Sequence, residues 1–151
     1  MSNVIAATSM LIHKPASEVF DAFVNPRTLE KFWLKSASAP LAPGATVEWE
    51  FMVQDAHETV TVTEFVPNQT IAFTWSDGIA VEMKFEQYGT GSCTFSVAAT
   101  GFKGADTASM AVDATEGFAI VACDLKSLLE TGRSGNMVRD KAALITADKA
   151  D

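Results

Sequence analysis

Apolar side chains recur along this chain with two different periods, and the change between them divides it. Between 46 and 101 the period is two, that of strands with one buried face. Residues 46–54 set Val47, Trp49, Phe51 and Val53 against Thr46, Glu48 and Glu50, and 58–66 set Val60 and Val62 against Thr59, Thr61 and Thr63. Residues 70–76 put Ile71, Phe73 and Trp75 on one side. Residues 79–88 place Val81, Met83 and Phe85 opposite Glu82, Lys84 and Glu86, and 92–101 alternate Cys93, Phe95, Val97 and Ala99. The breaks carry turn chemistry: Asp55-Ala56, Pro67-Asn68, Asp77-Gly78 and Gly89-Thr90-Gly91, with Asp-Gly the strongest hairpin signal. Phe65 falls out of parity with Val60 and Val62, which predicts a bulge near Glu64.

From 106 to 131 the steps lengthen to three and four. Met110, Ala114, Gly117, Phe118, Val121, Leu125 and Leu128 then share one face of a helix. Asp106 suits the N-cap and Gly132 the left-handed residue that ends a helix, so the rod is roughly 39 Å long. Ahead of the strands, 4–12 reads as a first strand broken at Lys14-Pro15. Two short helices follow, 16–24 with Val19, Phe20 and Phe23, and 27–33 with Leu29, Phe32 and Trp33, separated by Asn25-Pro26. A loop rich in Ala, Ser and Pro then runs to Gly44. The economical solution is an α+β fold, a curved six-stranded antiparallel sheet wrapped around the long C-terminal helix. The expected domain covers 1–131. Residues 132–151 form a polar tail, in which Met137, Val138, Ala142, Leu144 and Ile145 offer a short last helix.

Composition narrows the function classes. The 151 residues suit one domain, and 48% hydrophobic with 20% charged residues is globular. Nineteen acidic against eleven basic residues give a net charge of −8, without a basic cluster, which disfavours nucleic acid and anionic membranes as partners. No apolar run approaches the ~18 residues that span a bilayer, and MSNVIAATSM lacks a signal-peptide pattern. Cys93 and Cys123 are too few and too far apart for a disulfide framework or a zinc site. A cytoplasmic protein without metal or cofactor is the expectation.

Three stretches carry a resemblance: HKPASEVFDAFVNPRTLEKFW at 13–33, TVTEFVPNQTIAFTW at 61–75 and TEGFAIVACDLKSLLE at 115–130. Together with the element order they resemble the helix-grip fold of the SRPBCC superfamily, the START-domain and birch-pollen-allergen-like proteins. Within it the chain is similar to the activator of heat-shock-protein-90 ATPase homologue-like family, over about 4–131. The resemblance implies a cavity between the sheet, the two short helices and the long helix. It is specific for fold rather than reaction, because members bind, cyclise, hydrolyse or regulate. The eukaryotic activators carry an additional N-terminal domain, for which a chain filled by one domain has no room.

In that fold, strand parity assigns the cavity wall to Phe20, Phe32, Trp33, Trp49, Phe51, Phe73, Trp75, Met83, Phe85, Phe95, Phe118, Val121 and Leu125. Candidate polar groups are His57 in a turn, Glu58 and Glu64, which share parity with Val60 and Val62, and Asp124 at the edge of the helix's apolar face. An inward carboxylate there would have a raised pKa and act as a base. His13 ends the first strand, and no nucleophile elbow, phosphate loop or metal-ligand spacing is present. The leading expectation is non-catalytic binding of a hydrophobic small molecule. The alternatives are a cyclase, dehydratase or hydrolase, and a stress-related, co-chaperone-like interaction module; a homodimer is compatible with each.

Overall fold

The computed structural model describes residues 4–150, with side chains to 147. Residues 1–3 and 151, which end the expected domain and tail, lie outside the described residues. In chain order the elements are β1 (Ala6–Ile12), α1 (Ala16–Val24), α2 (Pro26–Phe32), β2 (Leu34–Ala37), β3 (Thr46–Phe51), β4 (His57–Val66), β5 (Thr70–Thr74), β6 (Ala80–Tyr88), β7 (Ser92–Thr100), α3 (Thr107–Thr131) and α4 (Met137–Ala150). The strands form one antiparallel sheet in the order β1-β7-β6-β5-β4-β3-β2. This is the helix-grip arrangement, an α+β fold in which the sheet backs the long helix α3.

The sheet has seven strands rather than six. Leu34–Ala37 lies in the stretch read as loop, yet it pairs with β3 through Leu34 opposite Phe51, Ser36 opposite Glu50 and Ala37 opposite Trp49. Four residues with one register shift are too short for a period to stand out, and the ladder comes from the partner strand. Ser36 adds a 3.0 Å hydroxyl bond to Glu50. The expected bulge in β4 is present, with the register shifting between Val62 and Glu64, and it turns Phe65 inward to meet Phe20 at 5.2 Å.

The two short helices form where proline and asparagine permit. Asn25 ends α1 and caps α2, its side chain accepting from the Arg27 N–H at 3.0 Å with Pro26 at the first helical position. Val19, Phe20 and Phe23 of α1 are buried against one end of the sheet. There Phe23 stacks on Phe95 at 4.8 Å and meets Phe32 edge-on at 5.5 Å, while Phe20 meets Phe85 edge-on at 5.2 Å. This end of the molecule is packed solid.

Helix α3 begins on Asp106, whose carboxylate accepts from the Ser109 N–H at 3.0 Å, and ends on Gly132 at φ 82°, a left-handed cap. Its buried face consists of Ala111, Val121, Ala122, Asp124 and Leu125, with Ala114, Phe118 and Leu128 partly buried. Met110 and Gly117, expected on that face, are exposed. The sheet grips mainly the second half of the helix. Lys126 Nζ donates to the Leu11 carbonyl at 2.7 Å and pairs with Glu130 at 2.7 Å, and Glu130 accepts from the His13 N–H at 2.8 Å.

That last bond, and after it the Lys126 ammonium, holds the Glu130 carboxyl below its ordinary value. A depressed folded-state pKa means the clamp stabilises fully above the unfolded-state value and is lost as pH falls through the folded one. Glu130→Gln is therefore expected to cost on the order of 1 kcal/mol at pH 7, kept small by solvent screening. The difference from wild type should close as pH falls below about 4. Urea unfolding of both proteins across that range checks it.

Candidate functional site

Beside the solid end, the fold leaves a partly open cavity of about 460 Å³. Helix α3 supplies Ala114, Gly117, Phe118, Ile120 and Val121, and Trp33 closes one side from the end of α2. The sheet and its turns contribute Phe51, Met52, Val53, Ala56, Trp75, Ile79, Ala99 and, just beyond β7, Phe102. The cover is α4, through Val138, Lys141, Ala142 and Ile145. These four stand at i, i+3, i+4 and i+7, one face of a helix, while Arg139, Asp140, Ala143 and Leu144 are exposed on the other.

Aromatic rings build the floor. Trp33 contacts Trp49 at 5.0 Å and Phe118 at 6.4 Å, and Trp75 contacts Trp49 and Phe51, each at 5.8 Å. All three tryptophans of the chain thus belong to one cluster. The Trp49 indole N–H is buried without a hydrogen-bond partner among the described residues.

Helix α4 is held in place by a buried acid. Asp124, 1% exposed, accepts from the Ser134 hydroxyl at 2.7 Å and from the Gly135 N–H. Ser134 in turn accepts from the Asn136 N–H at 3.0 Å, and Asn136 takes φ 57°, which asparagine tolerates. The chain is thereby turned back so that α4 lies on α3. A Glu116–Lys141 ion pair at 2.9 Å and a long bond from the Gln54 N–H to Thr146 at 3.5 Å tie α4 to α3 and to the β3–β4 connection.

Of the wall residues read from parity, Trp33, Phe51, Trp75, Phe118 and Val121 line the cavity. Phe20, Phe32, Trp49, Phe73, Met83, Phe85, Phe95 and Leu125 point inward as expected but pack in the core. Parity reports the face of a strand; on that face Phe85 and Phe95 meet Phe20 and Phe23 of α1, while Trp49 and Phe73 pack against each other and against Trp75. None of the four candidate polar groups lines this space. His57 is exposed at the start of β4. Glu58 is half-buried, but its carboxylate accepts from the Ser76 N–H at 2.9 Å and the Thr59 N–H at 3.2 Å, tying β4 to the hairpin after β5. Glu64 is exposed at the bulge. Asp124 serves the turn. Burial pushes the Cys93 thiol up, away from the reactive thiolate. No group of three or more His, Cys, Asp or Glu among the described residues is placed to hold a metal ion.

Parity did not identify the α4 residues or the Met52-Val53-Ala56 turn as cavity wall. The signal for α4 was the spacing of Val138, Ala142 and Ile145, which the lysine among them obscures.

The sequence matches the family model described as Activator of Hsp90 ATPase homolog 1-like protein over residues 13–130. The chain belongs to this family. Its fold is shared with the crystal structure of SSP2350 from Staphylococcus saprophyticus, at 27% identity and TM-score 0.77, over 87% of this chain and 95% of that one. The Aha1 dimer from Colwellia psychrerythraea is similar at 20% identity and TM-score 0.74, over 87% of this chain and 99% of that one. DynU16, from the dynemicin biosynthetic locus, is similar at 23% identity and TM-score 0.73, over 88% of this chain. It is matched over 49% of its own length, so the chain spans about half of DynU16. No curated protein sequence matches the chain. Helix α4 begins beyond the segment that the family model matches.

Asp124→Ala would remove both side-chain bonds of the turn and leave the Gly135 N–H without its partner. The expected loss is about 3 kcal/mol, from two hydrogen bonds to a charged group. Urea unfolding checks the loss, and amide exchange should accelerate in α4 before it does in β7.

Proposed function

We propose that the protein binds a hydrophobic small molecule in this cavity without catalysing a reaction on it. The observation that carries the reading is a cavity of about 460 Å³ whose lining is apolar apart from two indoles and Lys141. Its volume lies within the roughly 300–1,000 Å³ of ligand sites. Gly117 adds support. It sits in the middle of α3, where glycine costs roughly 0.5–1 kcal/mol against alanine. Yet a Cβ added there would meet nothing within 4 Å. The space beside Gly117 is therefore empty, with room for a methyl group. The non-catalytic half of the proposal rests on the lining. Lys141 is its only titratable side chain among the described residues, so it contains no acid–base pair.

Native mass spectrometry of freshly purified protein should show extra mass that denaturation removes. Binding of the neutral fluorophore N-phenyl-1-naphthylamine should survive Gly117→Ala within about twofold, and that variant should be about 0.5–1 kcal/mol more stable. Gly117→Leu should weaken the fluorophore at least tenfold by filling the space. Unchanged binding in Gly117→Leu would place the fluorophore elsewhere and sink the proposal.

A further inference from the structure

We infer that the ligand is an amphipathic acid, whose anionic head is received by Lys141 while its apolar body fills the cavity. This deepens the proposed binding function and rests on it. The first observation is the position of Lys141. It stands on the inward face of α4, between Val138 and Ile145, where packing alone would favour another apolar residue. The second is the polarity of the side chains that line the space. Trp33, Trp75 and Lys141 offer N–H donors, and no lining side chain offers an oxygen acceptor. A ligand's polar end that meets these side chains accepts hydrogen bonds from them, which suits a carboxylate. Buried donors that find no acceptor are costly.

The third observation is the present partner of Lys141. Its ammonium is held at 2.9 Å by Glu116, whose own side chain is 57% exposed. An ion pair this exposed is weak and readily exchanged. A carboxylate arriving from the cavity side meets the same ammonium where the attraction between the charges is stronger than in water, and this gain has to exceed the cost of drying the carboxylate. The protein's overall charge of −8 opposes anions at long range, so affinity for one has to come from this local cation.

The test uses the tryptophan emission of the whole protein, since Trp33 and Trp75 line the cavity and Trp49 touches both. Dodecanoate, dodecan-1-ol and 1-naphthaleneacetate are titrated at pH 8, below micelle-forming concentrations, into wild type, Lys141→Met and Glu116→Gln. Dodecanoate is expected to bind at least tenfold tighter than the alcohol. Lys141→Met should abolish that preference, read as the ratio of the two affinities. Glu116→Gln should raise the ratio of acid to alcohol affinity severalfold. The naphthyl acid then distinguishes aromatic from aliphatic bodies, and either acid can satisfy the inference. Equal affinity for acid and alcohol in wild type, or a parallel loss of both in Lys141→Met, would overturn the role of Lys141 and leave cavity binding standing. Failure of all three compounds together with N-phenyl-1-naphthylamine would overturn the binding function itself.

Discussion

The arrangement of the site depends on one buried carboxylate. Asp124 lies on the gripped half of α3 among Val121, Ala122 and Leu125, where an acid without partners would be strongly unfavourable. It is satisfied by the residues that follow the helix, Ser134 and Gly135. The charge thus converts a chain exit into a turn. Without that turn, Met137–Ala150 would be a fourteen-residue helix of weak amphipathicity, too short to persist alone in water. With it, α4 becomes a wall. A polar group in the core here determines where an apolar element goes, and the apolar element determines whether there is a cavity.

The molecule is divided between packing and openness. At one end, Phe20, Phe23, Phe32, Phe85 and Phe95 interlock between the short helices and the sheet. That cluster supplies burial and rigidity but leaves no room for a ligand. At the other end, the sheet leaves the first half of α3 weakly backed, and small residues, Ala114 and Gly117, face the gap. A rigid aromatic platform formed by Trp33, Trp49 and Trp75 joins the two ends.

Membership of the Activator of Hsp90 ATPase homolog 1-like family accounts for the frame from residue 13 to residue 130. Membership of a fold family does not by itself fix a function. The cover, α4, lies past the matched segment, and Lys141 with it. The cavity is thus built jointly by the matched segment, which supplies most of its wall, and by a helix beyond it.

The sequence by itself determined the order and type of most elements, because each announced itself through local chemistry. Examples are alternation in the strands, Asp77-Gly78 in a hairpin, Asn25-Pro26 between two helices, and Asp106 and Gly132 at the ends of α3. Even the bulge at Glu64 was legible, since one residue out of parity has few explanations. Tertiary structure alone decided β2, whose ladder belongs to β3, and which inward residues meet a cavity instead of another side chain. It also decided the roles of Glu58 and Asp124, whose partners, Ser76, Ser134 and Gly135, lie ten or more residues away in the chain. Periodicity shows which face of an element a side chain occupies. What stands opposite that face depends on contacts between distant segments, and local pattern carries no record of them.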